Sequence, residues 1–571
     1  MINVESSVAS ALSIRLDPIV AQLEAGAAQW SSMLLLERIA LLADASSAVE
    51  KNAKKWVVQA ARIKGLSPSS PLVGEEWISG PYAVLTALST LRHTLEAISE
   101  GRSPLDGRRL GTAPGGRVSV PVLPGSAREA VLLHGFSAET WMLPGLSRVQ
   151  VTERAGLGAL TPTSSGGVGL VLGAGNISSI PPLDVLYELI AHNRVTVLKL
   201  NPVMERMLPV YEAAFAPLIS HDVLRIVAGG ADVGGYLAHH PGVSHVHITG
   251  SVATHDAIVW GPDADSTRAS GTPDLHKPIT SELGGVAPII VLPGEWTSQD
   301  LIYQAEHVAT QRLHNGGYNC IAGQVVVLSS DWPQKNAFVD ALRTAIAAAP
   351  DRPAWYPGSD TRVGGALADY PGAQKIRSGR LLIELHEADT PDALTQTEYF
   401  APVLGLVELP GTGQSFFDAA IDASNERFAG TLGANIIGAP RDIRSLKSGF
   451  REGLARLEYG TIGVNAWTAV GFLSAGVPWG AFPGHTIEDV QSGIGVVHNG
   501  LLLDGTERTI VRGPFRPFPR SIAHGEFALF PKPPWFVTAR SAAKTGRLLT
   551  RFAARPSWRR LPAVFASAFR A

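Results

Sequence analysis

An α/β fold with parallel sheets is predicted from three features of the sequence. From residue 161 apolar runs of strand length alternate with amphipathic runs of helix length, the signature of repeated βαβ units. Polar groups and glycines stand at or near the ends of those strands, where a parallel sheet places its ligands. A second stretch of the same alternation begins near residue 280, after a helical N-terminal region and a short segment of strands and turns.

Each element follows from local pattern. Residues 1–105 read as mainly helical. "SSMLLLERIALLADASSAVEKNAKKWVVQAARIKG" repeats apolar residues every three or four positions, and Gly65 is its stop. Residues 116–160 read as strands and turns, with "VSVPVL", "AVLLHGF" and "RVQVTE" as the runs of a hairpin-like arm. Then come the strand "GVGLVLGAG" and the helix "PLDVLYELIAHN", which begins at Pro181 and Pro182. The strand "RVTVLKL", the helix "PVYEAAFAPLI" and the strand "VLRIVAG" follow, then a short helical piece, "VGGYLAHHP", and the strand "VSHVHITG". The second stretch runs from "APIIVL" through the helix "QDLIYQAEHVATQRLHNGG", which breaks at its glycine pair, to "GQVVVLS" and the helix "QKNAFVDALRTAIAAA". The runs "APVLGLVEL" and "TLGANIIG" come later.

Composition narrows the class. Hydrophobic residues make up 45% and charged residues 17%, which fits a packed globular chain and opposes disorder. The net charge of -2 excludes the chain as a whole from binding polyanions, so no nucleic acid partner is expected. A single cysteine cannot form an internal disulfide. The segment "MINVESSVASALSIRLDPIV" lacks a basic stretch followed by an apolar core, so no signal peptide is read there. No apolar run is long enough to span a bilayer, and the expected location is the cytoplasm.

Cys320 is that lone cysteine, and it closes the polar, sharply turned stretch "GGYNC". It reads either as a small buried hydrophobe or as a nucleophilic thiolate. Glu282 in "SELGG" lies 38 positions earlier, among small or apolar neighbours. Partial burial would raise its pKa and suit it to general-base work, although taken alone a cap or a surface charge explains it better. Asn176 follows "GAG", Lys199 ends "VTVLK", and Gly250 and Ser251 follow "VHIT". "GAGN" starts like a dinucleotide fingerprint, but Ser178 stands at the last glycine position, so a plain strand-to-helix turn is the better reading of that motif by itself. One βα excursion separates Glu282 from Cys320, so the two can meet across a cleft.

The ordered set "GAGN", "VLKLNP", "HPGVSHVHITGS", "SELGGVAP", "NGGYNCIAGQ", "TEYFAPVLG" and "SGIG" resembles the aldehyde dehydrogenase superfamily over roughly residues 20–500. The resemblance implies a Rossmann-like cofactor domain, an α/β catalytic domain and a small β oligomerisation arm. The expected division is an N-terminal helical region with the nucleotide-binding domain over 1–279, the arm lying at about 116–160. A catalytic domain with return segments follows over 280–500, then a C-terminal extension over 501–571. The implied activity is oxidation of a small-molecule aldehyde to a carboxylic acid with NAD or NADP. By resemblance Cys320 is the nucleophile, Asn176 the oxyanion donor together with the Cys320 backbone N–H, and Glu282 the base that activates water. Lys199 matches the lysine on the adenosine ribose, and Gly250 and Ser251 the turn near the pyrophosphate. Glu398 matches the ligand of the nicotinamide ribose, and Phe400 its neighbour flanking the nicotinamide. A homodimer or homotetramer is implied as well.

The sequence departs from the family pattern in places. Ala174 and Gly175 replace the usual aromatic residue before the asparagine. Pro202 stands where many NAD-dependent members carry an acidic ribose ligand, which leaves NAD against NADP open. "AFPGHTIEDVQ" is added between "PWG" and "SGIG", and no basic residue follows "SGIG". Two rival functions remain. A coenzyme A-acylating relative commonly lacks the base glutamate, so Glu282 speaks against it. A non-catalytic binding protein would not need Cys320, Asn176 and Glu282 together.

Three further signals carry alternatives. His245 and His247 share a strand face, and structural histidines are preferred there to a metal site. Trp260 and Trp467 read as core residues before pocket walls. After Glu526 the chain has nine basic residues and no acidic one. Arg540, Lys544, Arg547 and Arg551 recur at helical spacing. This tail would lie on an anionic membrane surface, with Trp535, Phe552, Trp558, Phe565 and Phe569 as interfacial contacts, or it would dock on a neighbouring subunit.

Overall fold

The computed structural model describes residues 2–377, 379–385 and 389–571. Met1, the first residue of the segment read against a signal peptide, lies outside them.

Two sheets organise the chain. The first has six strands in the order 493–494, 279–283, 243–250, 168–172, 195–199 and 224–227. All its pairings are parallel except that of the two-residue return segment, Gly493–Ile494, on Ile279–Leu283. The five longer strands show the near-continuous apolar content of a sheet covered on both faces. The second sheet has eleven strands, ordered 111–112, 118–123, 137–142, 506–512, 461–464, 433–437, 287–291, 323–329, 403–409, 380–384 and 374–377. Its middle, from 506–512 to 380–384, is parallel throughout. Antiparallel strands close both ends.

The helical N-terminus is as expected, with Ile2–Ser32, Leu35–Ile63 and Ala83–Ser99 as its long helices. The segment 116–160 differs from its sequence reading. "VSVPVL" is the strand Val118–Leu123, but "AVLLHGF" starts in the helix Ala127–Leu132 and continues as a turn, and "RVQVTE" lies in the helix Arg148–Arg154. Caps decide both cases. Ser126 Oγ accepts from Glu129 N, and Ser147 forms a reciprocal capping box with Gln150. The strand opposite Val118–Leu123 is instead Ser137–Met142, which the sequence reading passed over. The arm continues the second sheet of its own chain, because Thr506–Arg512 pairs with Ser137–Met142 on one side and Thr461–Val464 on the other.

Two expected boundaries run through strands. Ile279–Leu283 crosses the division at 279/280 and belongs to the first sheet. Thr506–Arg512 lies within 501–571 yet belongs to the second, so the extension proper begins after Arg512. Beyond it the helix Ala542–Ala554 docks on the N-terminal helices of the same chain, and Leu561–Ala568 packs on Ala542–Ala554. The crossing is close at two glycines. A Cβ on Gly74 would lie 2.5 Å from the Ala542 carbonyl carbon, and one on Gly546 would lie 2.8 Å from Trp77 Cβ. Leu549 and Phe552 are buried in this contact, whereas Arg540, Lys544, Arg547 and Arg551 are exposed. The tail therefore packs on its own body and turns its basic stripe outward.

Candidate active site

The eight residues singled out in the sequence line one cleft of about 520 Å³ between the two sheets: Asn176, Lys199, Gly250, Ser251, Glu282, Cys320, Glu398 and Phe400. Topology explains the gathering. Asn176 follows the end of Val168–Leu172, Lys199 ends Val195–Lys199, and Gly250 ends Val243–Gly250. All three strands are parallel neighbours, so their carboxyl ends open on the same side. Glu282 lies on the adjacent strand of that sheet, opposite Thr249. Cys320 comes from elsewhere, since it precedes the second-sheet strand Gly323–Ser329. The pair thus meets across the junction of two sheets, because the βα excursion between them passes into the second sheet and does not return to the first.

Backbone geometry builds the cysteine loop. The helix Ser298–Leu313 ends, and Asn315, Gly316 and Gly317 take φ values of 56°, 76° and 84°. Three left-handed residues in succession reverse the chain sharply, and glycine at two of them removes most of the strain. Asn315 then fastens the loop. Its Nδ2 donates to Tyr318 O at 3.0 Å and to Asn176 O at 3.1 Å. Its backbone N–H donates to Glu75 Oε2 at 3.0 Å, and its Oδ1 accepts from Lys64 Nζ at 2.9 Å. Lys64 pairs with Glu76 at 2.9 Å with both side chains fully buried, and Arg352 pairs with Glu75. The sequence reading missed Lys64, Glu75, Glu76 and Asn315. Asn315 sits inside the quoted "NGGYNC", but the others lie some 250 positions away with no local signal.

The electrostatics are those of a dry site. Burial lifts the Glu282 carboxyl to about 7, and its hydrogen bond with the Cys320 thiol works the other way. Trp479 Nε1 also donates to Glu282 Oε1, at 3.3 Å. Burial, and then the negative charge of Glu282, push the Cys320 thiol well above its ordinary value. Asn176 Nδ2 donates to Tyr318 O at 3.0 Å, which leaves its second amide hydrogen for a ligand. Glu398 is lifted to about 8 by burial, against the pull of Arg312. Its Oε1 is buried without a hydrogen-bond partner.

The cofactor side of the cleft fits a nucleotide. Lys199 forms no direct ion pair among the described residues, and burial lowers its pKa against the charges of Glu205 and Asp232. Ser251 caps the helix Val252–Val259 by accepting from Thr254 N, so that helix directs its positive end at the cleft. Glu398 Oε1 is an unused acceptor of the kind a ribose hydroxyl satisfies. Arg362, which the sequence reading also missed, lines the same cleft and lies 5.8 Å from the Phe400 ring centroid.

The other sequence signals fall into packing roles. His245 Nε2 and His247 Nδ1 both contact Thr280 Oγ1, at 2.9 and 3.0 Å. No cluster of three or more metal-ligating side chains occurs among the described residues. Trp260 and Trp467 are buried, and Trp467 Nε1 donates to Ile321 O at 3.3 Å behind the cysteine.

Comparison with known proteins agrees with this geometry. The sequence profile of the aldehyde dehydrogenase family matches residues 186–369. Aldehyde dehydrogenase LUC3 of a Fusarium species is 25% identical over 285 residues, which cover 42% of this chain and 57% of that protein. A D-glyceraldehyde dehydrogenase (NADP(+)) of Thermoplasma acidophilum is 24% identical over 224 residues, covering 35% and 42%. The chain thus spans about half the length of the curated relatives it matches. Among solved structures, the aldehyde dehydrogenase KauB of Pseudomonas aeruginosa superposes with a TM-score of 0.59 at 17% identity, covering 87% of this chain and 88% of that one. The gamma-glutamyl-gamma-aminobutyraldehyde dehydrogenase of Burkholderia cenocepacia gives 0.58 at 19% identity, covering 86% and 87%. At these identities the structural likeness is one of fold.

Proposed function

We propose that this chain is a member of the aldehyde dehydrogenase superfamily and that it oxidises an aldehyde to a carboxylic acid with NAD or NADP. The observation that carries this reading is the placement of the Cys320 thiol and the buried Glu282 carboxyl in one cleft, close enough for each to shift the other's pKa. A carboxylate with a pKa of about 7 takes the thiol proton, and the thiolate attacks the aldehyde carbon. The free hydrogen of Asn176 Nδ2 and the Cys320 N–H stabilise the oxyanion of the thiohemiacetal. A nicotinamide held in the cleft would supply the hydride acceptor that formation of a thioester on Cys320 requires. Lys199, Gly250, Ser251, Glu398 and Phe400 would hold the dinucleotide. Glu282 gives up the thiol proton to solvent and, ionised again, draws a proton from water, whose oxygen attacks the thioester carbonyl; the acid is released, and the departing thiolate takes that proton back from Glu282. Retention of Glu282 favours water over coenzyme A as the acceptor. The test is reduction of NAD and NADP by a panel of aldehydes, with the acid identified by mass spectrometry. Absence of any reduction would leave the binding-protein reading.

Two finer readings belong with this one. A homodimer or homotetramer in the cytoplasm rests on the family resemblance, although the arm already completes its own sheet. Light scattering in solution decides it. Contact with an anionic membrane surface rests on the outward stripe of Arg540, Lys544, Arg547 and Arg551, for which no carboxylate pairs among the described residues. The interfacial residues expected from the sequence are revised. Phe552 is buried, and Trp535 and Phe565 are half-buried, so Trp558 and Phe569, at 52% and 45% exposure, are the apolar groups that remain available.

A further inference from the structure

The cleft at Cys320 holds charged side chains where a cofactor would lie, Lys199, Arg362 and Glu398 among its lining. On the other side Cys320 packs against Ile321, Leu432, Trp467, Ala469, Trp479 and Val497, and two more aromatic residues, Phe472 and Trp535, complete that cluster. Phe472 belongs to the short helix Ala469–Leu473, and its ring lies 5.4 Å from that of Trp479. Trp535 belongs to the C-terminal extension.

The same short helix faces a second space. Val470 and Leu473 border a small cavity of about 40 Å³. Its body side is formed by residues such as Tyr82 and Leu133, and its outer side by Trp535, Leu549 and Val564 of the extension. No charged side chain lines it. Trp535 is the one residue common to this cavity and to the cluster around the cysteine. It is half-buried and meets Phe136 edge-on at 5.5 Å.

We propose that the C-terminal extension forms the outer wall of the aldehyde-binding channel, with Trp535 at its inner end, and that the channel selects uncharged, apolar aldehydes. The proposal rests on the aldehyde-oxidising reading above and names its substrate class. The cofactor cradle occupies the polar side of Cys320, so the aldehyde's own substituent is directed to the apolar side. The cavity beyond is lined by no charged side chain among the described residues, so a carboxylate or phosphate reaching it would be buried unpaired, which is costly. An alkyl or aromatic substituent gains from burial there, about three- to four-fold in binding per methylene. A cavity of about 40 Å³ admits little, so on this proposal longer substrates enter by displacing the Trp535 indole.

The test compares propanal, hexanal and succinic semialdehyde as substrates of the full chain. The expected result is a kcat/KM that rises about three-fold or more per methylene from propanal to hexanal, with succinic semialdehyde the poorest. Trp535→Ala should raise the hexanal-to-propanal ratio, and Val564→Asp should lower it. Both ratios are read within one variant, so partial loss of folded protein cancels. Protection of Cys320 from alkylation by the same aldehydes, followed by mass spectrometry, ranks them without turnover and is clean because no other cysteine exists. A flat or falling length series, a preference for succinic semialdehyde, or variants that affect all aldehydes equally would overturn the channel. Turnover of any aldehyde with a flat series sinks the channel alone. Failure of every aldehyde both to turn over and to protect Cys320 sinks the aldehyde reading with it.

Discussion

The loop that carries Cys320 and the extension that follows Arg512 solve opposite problems. The loop presents one reactive atom, so almost every polar group around it is tied down, by Asn315, Asn176, Lys64 and Glu75. The extension presents faces. One face buries Leu549 and Phe552 on the body, and the other shows a row of cations to solvent. The loop depends on a few backbone angles and hydrogen bonds, and one wrong atom destroys it. The extension depends on summed area and charge, so its effects are graded. Substitutions should therefore act abruptly in the loop and gradually in the tail.

The largest effect is expected at the loop's centre. Cys320→Ser should abolish turnover, because a hydroxyl beside Glu282 is a far weaker nucleophile than a thiolate. Cofactor binding, followed by fluorescence quenching, should stay nearly intact. Near-normal oxidation by the variant would rule out the covalent route. Glu282→Gln should be next. It should retain a burst of reduced nicotinamide and then stall, with steady-state turnover reduced about 10²- to 10⁴-fold, the usual worth of a positioned base. Rapid-mixing absorbance separates the two phases, and unchanged steady-state turnover would assign water activation to another group.

The pH profile sharpens the same point. Glu282 is lifted to about 7, and a base works in its ionised form, so turnover should rise as pH rises through about 7 and level off above it. The stability linkage has the opposite sign. A carboxyl with a raised folded-state pKa binds its proton more tightly folded than unfolded. Its contribution is thus present at low pH and lost as pH climbs from the ordinary carboxylate value towards 7. Glu282→Gln should remove both dependences, and a wild-type rate that is flat between pH 6 and 8 would contradict the assignment.

The support beneath the loop should respond in stability before chemistry. Lys64→Ala leaves Glu76 buried without its partner, a change that typically costs about 3–5 kcal/mol. Lys64→Met with Glu76→Gln should recover much of that loss. Thermal melts of the three forms measure it, and a single variant as stable as the parent would show that the pair is not holding the loop.

The contrast also explains what was legible in the sequence. Asn176, Lys199, Gly250 and Ser251 were found because parallel strands end in short, recognisable turns. Glu282 and Cys320 sit in equally local motifs, yet their meeting across two sheets was not visible, since sheet membership is set by pairing partners far away. The helices Ala127–Leu132 and Arg148–Arg154 were misread because valine-rich runs suggest strands, and the caps at Ser126 and Ser147 outweigh that preference. Lys64 and Glu76 gave no signal, because a buried ion pair is defined by what surrounds it. The tail's helical spacing was readable, but which of its faces is covered depends on Gly74 and Trp77.

The smallest effect is expected at the outer face of the extension. Arg547 and Arg551 point away from the body and line no part of the cleft or the cavity. Near an anionic bilayer each cation contributes about 1 kcal/mol before screening, and the stripe holds four. Reversing two of them, Arg547→Glu with Arg551→Glu, should weaken co-sedimentation with liposomes of anionic lipid about ten-fold or more at low salt. Neutral liposomes should bind neither form, and the difference should shrink at physiological salt, where the Debye length falls to about 8 Å. Propanal oxidation in solution should change by less than about two-fold, because the substituted positions contribute to neither the loop nor the wall. Equal, negligible binding of parent and variant to anionic liposomes would remove the membrane contact and leave the extension with its inner face as its only function. A loss of oxidation together with binding would show instead that the two faces are not independent, and that charge on the outside reaches the wall through the helix Ala542–Ala554.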